Sequence, residues 1–139
     1  MGRHHHGYVW VGNAAALVPQ DPRRAGHPDF AASPVPPLEL AHWLLKSGSF
    51  VRGTFTAPEE ATAWVDAAAR PYVGELLPAQ LASAGAAVVG GEDFAGGWYV
   101  SGQRFLAVHL VACSPHRFRP EYGCPVSVGR GSGRTVPGG

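Results

Sequence analysis

The run from Arg104 to Cys113 constrains this chain more than any other segment. As a strand it sets Leu106, Val108 and Leu110 in one row and Phe105, Ala107, Val111 and Cys113 in the other, with His109 the one polar interruption. A strand apolar on both faces belongs in the middle of a sheet, covered on each side. Trp98-Tyr99-Val100 precedes it across Ser101-Gly102, and a glycine there supplies the positive φ of a tight hairpin turn. Helices have to provide at least one of the two covers.

The remaining segments supply the partners. Tyr8-Val9-Trp10-Val11 reads as a short strand stopped by Gly12-Asn13. Residues 14–36, punctuated by Pro19, Pro22, Pro28, Pro34 and Pro36, read as a long irregular connection. A helix is predicted over 37–47, with Pro37 in its first turn, Leu38, Ala41, His42 and Leu45 facing inward, and Gly48 as its stop. Residues 50–56 alternate as a strand with one polar face. Thr56-Ala57-Pro58-Glu59 has the form of a capping box. The helix that follows, 58–69, sets Ala61, Trp64, Val65 and Ala68 on one side before Pro71 ends it. Residues 72–85 read as a less regular helical piece with Pro78 in a fresh first turn and Gly85 as a stop, 86–89 as a short strand, and 90–97 as a mobile acidic loop.

The expected fold is therefore α+β. It has a small, mostly antiparallel sheet of about four or five strands, near 8–11, 50–56, 86–89, 98–101 and 104–113, with two or three helices packed on it. Residues 1–7 are expected as an N-terminal tail, 8–115 as a single domain, and 116–139 as a basic, Gly/Pro-rich arm whose last residues are disordered. A length of 139 residues supports one domain. Gly and Pro together make up 32 of them, which points to extended, thinly packed stretches.

Composition narrows the setting. Two cysteines make no disulfide framework. No apolar run approaches the roughly 18 residues of a membrane span, and the N-terminus has no apolar core of a secretory signal. These features point to the cytoplasm and away from the membrane. Ten arginines stand against the single Lys46, with abundant Ala, Gly and Pro, as in a GC-rich bacterial genome. The tract His4-His5-His6 reads either as appended or as native sequence, and no function is assigned to it.

Chemistry is sparsely signalled. The sequence has no phosphate loop, zinc-protease helix, nucleophile elbow or C-x-x-C. No catalytic, cofactor-binding or metal-binding residue is therefore assigned, and an enzyme is disfavoured. Cys113, His116 and Cys124 form C-x₂-H-x₇-C, whose residue types suit zinc, with water or a fourth ligand from His109 or the His4 tract. The spacing matches no standard finger, a Cys113–Cys124 disulfide is the oxidised alternative, and Cys113 as a small strand-closing residue is preferred. His109, mid-strand, reads as a satisfied core histidine bonded to a carbonyl or to Tyr99. A pocket could form only if His42, Asp93, Tyr99 and His109 converged.

The charges are sorted. The net charge is +1, yet residues 25–102 are acidic while both ends are basic, with Arg104, Arg117, Arg119, Arg130 and Arg134 against Glu121 after residue 102. Such asymmetry fits a polyanion partner or arms that dock on an acidic body. Arg117, Phe118, Arg119 and Tyr122, with Arg130 and Arg134, are the candidate binding residues. The leading expectation is a non-catalytic binding or adaptor module with a protein partner. A nucleic-acid-associated protein using the Arg/aromatic segment is the alternative, and a small enzyme or ligand binder near His42 and His109 the third.

Overall fold

The computed structural model describes residues 3–113 and 115–126. The fold is α+β, built on a four-stranded, wholly antiparallel sheet. Its strands are β1 (His4–Asn13), β2 (Gly53–Phe55), β3 (Phe94–Tyr99) and β4 (Arg104–Cys113), ordered β2-β1-β4-β3. Two α-helices, α1 (Pro58–Val73) and α2 (Pro78–Gly90), lie between β2 and β3 in the chain. No helix among the described residues is long and apolar enough to cross a membrane.

β4 is central, as its two apolar rows require, and from Leu106 to Cys113 every residue is buried. Leu106, Val108 and Leu110 pack with Ala61, Val65 and Ala69 of α1 and Ala84 and Val88 of α2. Val111 and Cys113 face the other way, with Tyr8, under Trp43 and Leu44. The molecule is thus three layers: an α-helical layer, the sheet, and a cover made of short 3-10 turns and irregular chain. The hairpin joining β3 to β4 turns at Gly102, whose φ of 64° is open to glycine at no steric cost.

Several boundaries differ from expectation. β1 begins at His4, so residues 4–7 are strand rather than tail. Their partners run from Cys113 to Leu110 on one side and from Phe55 to Gly53 on the other, which satisfies backbone groups that a tail would leave to water. In place of a helix over 37–47 there is a 3-10 segment, Leu40–Leu45, which starts late because Glu39 stays extended. The strand expected over 50–56 shrinks to Gly53–Phe55, because Gly48–Phe50 coils into a 3-10 turn and Phe50 and Val51 join the Trp43 cluster.

The N-cap of α1 is Ala57, without a side-chain cap, so the Thr56 capping box does not form. The helix also runs through Pro71 to Val73, forgoing the one bond that an N–H at position 71 would have made to the Ala67 carbonyl. Residues 86–89 are the last turn of α2 rather than a strand. Ala84, Ala87 and Val88 bury on the helical period, Gly85 is interior, and Gly91 in the left-handed region (φ 67°) makes the stop. Half of what reads as a loop over 90–97, from Phe94 to Gly97, is strand β3. Its Gly97 leaves space for the Phe105 ring, which a β-carbon would meet at 2.6 Å.

The long connection 14–36 is irregular, as expected, but it is pinned. Lys46, 3% exposed, donates from Nζ to the carbonyls of Phe30 and Ser33, both at 2.7 Å, and lies 4.0 Å from the Phe30 ring centroid. Burial pushes its ammonium down to about 8. Arg23 adds bonds to the Pro36 and Leu17 carbonyls.

Candidate metal centre

Strand geometry puts alternate residues on one face, so His4, His6 and Tyr8 project together from β1 into the irregular layer. The register sets His4 opposite Cys113 and His6 opposite Val111. Tyr122 and Cys124 close over the same cluster from the C-terminal segment. The ligand atoms of His4, His6, Cys113 and Cys124 all lie within 4.8 Å of one another.

The edges of this cluster are informative. His4 Nε2 lies 3.2 Å from His6 Nε2, His6 Nε2 lies 3.3 Å from Cys124 Sγ, and Cys124 Sγ lies 3.6 Å from His4 Nε2. Zinc–nitrogen bonds near 2.0–2.1 Å and zinc–sulfur bonds near 2.3 Å imply tetrahedral edges of about 3.3 Å between nitrogens and about 3.6 Å from nitrogen to sulfur. The three edges of the cluster agree with these values within a few tenths of an ångström.

The surroundings suit a cation. His6 Nδ1 lies 2.9 Å from Thr54 Oγ1, its cross-strand neighbour. When Nδ1–H donates to that oxygen, the Nε2 lone pair points into the cluster, which is the outer-shell bond that orients metal-binding imidazoles. Burial, reinforced by His4 and His5, pushes His6 down to about 4, so its ring is neutral at ordinary pH, as a ligand must be. Tyr8, 1% exposed, carries a phenol with no hydrogen-bond partner among the described residues. Burial, then the Cys113 and Cys124 sulfurs, raises its pKa and keeps it protonated.

A second set of polar contacts braces the same end of the sheet. Asp93 Oδ1 accepts from the Ala112 N–H at 2.8 Å, and Asp93 Oδ2 lies 2.8 Å from His116 Nε2. His116 Nδ1 accepts from the Phe118 N–H at 3.1 Å, so Nε2 carries the proton given to Asp93. Both nitrogens of His116 are committed, and it contributes no ligand to the cluster. The histidines that complete the set are His4 and His6. Sequence reasoning discounted them as a bare tract, although their i, i+2 spacing would place two imidazoles on one face of a strand.

The other candidates fall in separate places. His109 Nδ1 accepts from Trp43 Nε1–H at 3.0 Å, a core bond, though neither to a carbonyl nor to Tyr99. Burial pushes this histidine down to about 4, against the opposing pull of Asp93. His42 Nε2 is 3.7 Å from Glu39 Oε1, and its Nδ1 is buried with no hydrogen-bond partner among the described residues. Tyr99 is 71% exposed and meets Phe105 edge-on. Ala95, not Tyr99, pairs with His109, which puts Tyr99 about 13 Å further along the strand. Asp93 is engaged with His116, and Tyr99 stands apart from His109.

Comparison with protein-family models, curated proteins and solved structures finds no match to this chain.

The C-terminal arginines meet the acidic middle. Arg117 Nη1 lies 2.6 Å from Glu92 Oε2, and Arg119 forms a two-pronged pair with Glu39 at 2.9 and 3.2 Å, which holds the Glu39 carboxyl below its usual range. Phe118 between them is 71% exposed, while Tyr122 packs beneath the segment. Arg130 and Arg134 lie outside the described residues, as does the expected disorder of the last residues.

Proposed function

We propose that this protein is a small zinc-held binding module, in which the ion fastens the irregular layer to the sheet and the surface so formed meets a protein partner. The observation that carries this reading is the convergence of His4, His6, Cys113 and Cys124 within 4.8 Å. Two thiolates and two imidazoles form a borderline-soft donor set that selects zinc over magnesium or calcium. Four protein ligands leave no position for water or substrate, which is the arrangement of a structural rather than a catalytic zinc. When bound, the ion joins the first strand, the end of the central strand and the C-terminal segment, whose sequence separation reaches 120 residues.

The pairing of Arg117 with Glu92 and Arg119 with Glu39 favours a protein partner over a nucleic acid, since each guanidinium already has a carboxylate. Exposed Phe118, carried on the metal-held segment, is the apolar contact such a partner would cover. A reducing cytoplasm suits the site because it keeps both thiols available to the ion.

The test is elemental analysis of chain purified without a nickel column. One zinc per chain is expected, falling to background in His6→Ala and Cys124→Ser. Cobalt in place of zinc should show thiolate-to-metal charge-transfer bands. A chain that takes up no zinc, and whose unfolding temperature is the same with zinc or chelator, would overturn the reading. For the partner, Phe118→Ala should abolish co-purification of a host protein that the native chain retains at high salt. Retention of nucleic acid that disappears steeply with salt would replace it with the polyanion reading.

A further inference from the structure

We infer that the metal centre is also a redox switch, in which peroxide turns Cys113 and Cys124 from two zinc ligands into a disulfide and expels the ion; this rests on the zinc reading above. The chain has two cysteines, and the cluster holds both, so no other thiol of the chain competes for the product. Their sulfurs lie within 4.8 Å, and a disulfide needs about 2.05 Å, so the sulfurs must close by less than about 3 Å. Cys113 is fixed by the β4 ladder and is 0% exposed, whereas Cys124 is half-buried on irregular chain that can yield. Loss of the ion does not release Cys124. His116 with Asp93, Arg117 with Glu92 and Arg119 with Glu39 hold its segment by contacts independent of the metal. The resolving thiol therefore stays at high effective concentration.

The chemistry balances. The Cys124 thiolate, the more accessible, attacks one oxygen of hydrogen peroxide. The O–O bond breaks, hydroxide leaves, and a sulfenic acid forms. The Cys113 thiolate then attacks that sulfur, the S–S bond forms, and a second hydroxide leaves. Two protons convert the hydroxides to water. The sulfurs together lose two electrons to the peroxide. The ion, left with two imidazoles, dissociates. Thiol reductant reverses the S–S bond and zinc can rebind.

The experiment uses the full zinc-loaded chain, assayed for zinc before any treatment, then exposed to hydrogen peroxide. Zinc release is followed with a chromogenic chelator, and the denatured chain is weighed by mass spectrometry. The expected result is one zinc lost per intramolecular disulfide, a monomer about 2 Da lighter, and recovery of zinc binding after reductant. His4→Gln, which keeps both thiols, should bind zinc at least about tenfold more weakly and form the same disulfide at lower peroxide. Zinc present at the start but released with a gain of about 16 or 32 Da, retained throughout, or lost with disulfide-linked dimers would overturn the switch alone. Absence of zinc before treatment would instead overturn the zinc reading, and the switch with it.

Discussion

At the scale of single residues, two buried polar groups carry more than their size suggests. His109 keeps the Trp43 indole satisfied. In the fold it titrates near about 4, whereas in the unfolded chain it titrates near about 6.5. Between those values the unfolded chain binds a proton that the folded chain refuses, so this contribution to stability is lost as pH falls through the window. The native chain should therefore lose up to about 3 kcal/mol from this group between about pH 6.5 and about pH 4. His109→Leu should remove that part of the acid sensitivity while costing about 1–3 kcal/mol near pH 7, because the indole N–H loses its acceptor. Urea midpoints of the two proteins at both pH values would show it. Lys46 is the second such group. Lys46→Met strands the Phe30 and Ser33 carbonyls and should cost about 2 kcal/mol or more. Limited proteolysis should then cut within residues 14–36 well before the native chain is cut.

At the scale of elements, the sheet and helices meet through close approaches that small residues permit. A β-carbon on Gly7 would fall 2.6 Å from the Trp64 ring, so α1 lies against β1 at a spacing only glycine allows. Gly7→Ala should destabilise by about 1–3 kcal/mol through overpacking, read from the shift in urea midpoint at unchanged slope. The exposed ion pairs contrast with this. Arg119→Ala, which breaks the pair with Glu39, should leave the urea midpoint close to that of the native chain, since solvent screens such pairs. The elements legible in the sequence were those whose pattern had one solution. β4 is apolar in both rows, α1 shows a clear helical period, and Gly102 marks the hairpin. Ala86-Ala87-Val88-Val89 suits a strand or a helix equally, and the neighbours in α2 decided in favour of helix. Residues 40–45 became 3-10 rather than α because Trp43 is drawn inward to stack on Tyr8, with ring centroids 4.4 Å apart.

At the scale of the whole molecule, the cover on one face of the sheet is short 3-10 turns joined by irregular chain, and little hydrogen-bonded ladder holds it down. Metal therefore has more to contribute here than in the helical layer. Chelation of zinc from the native chain should lower its unfolding temperature by several degrees and speed hydrogen exchange in the irregular layer without detaching residues 115–126, whose ion pairs remain, while α1 and α2 stay protected. Equal protection of both layers with and without the ion would contradict this division of labour. The basic C-terminal segment belongs to the same picture. It runs back across the acidic middle, so that at Arg117 and Arg119 the charge asymmetry of the sequence is spent within the molecule.

What the sequence by itself determined is local and periodic: a central strand with no polar face, an antiparallel hairpin, a helix over 58–69, and a chain too rich in Gly and Pro to be regular throughout. Those features follow from which side chains neighbour each other along a strand or helix. The candidate metal centre follows from none of them. His4 and His6 stand more than a hundred residues from Cys113 and Cys124, and only the pairing of β1 with β4, followed by the return of the C-terminal segment, brings the four ligand atoms to one point. Only the tertiary structure could decide it, because a coordination site is defined by distances through space and a sequence records distances along the chain.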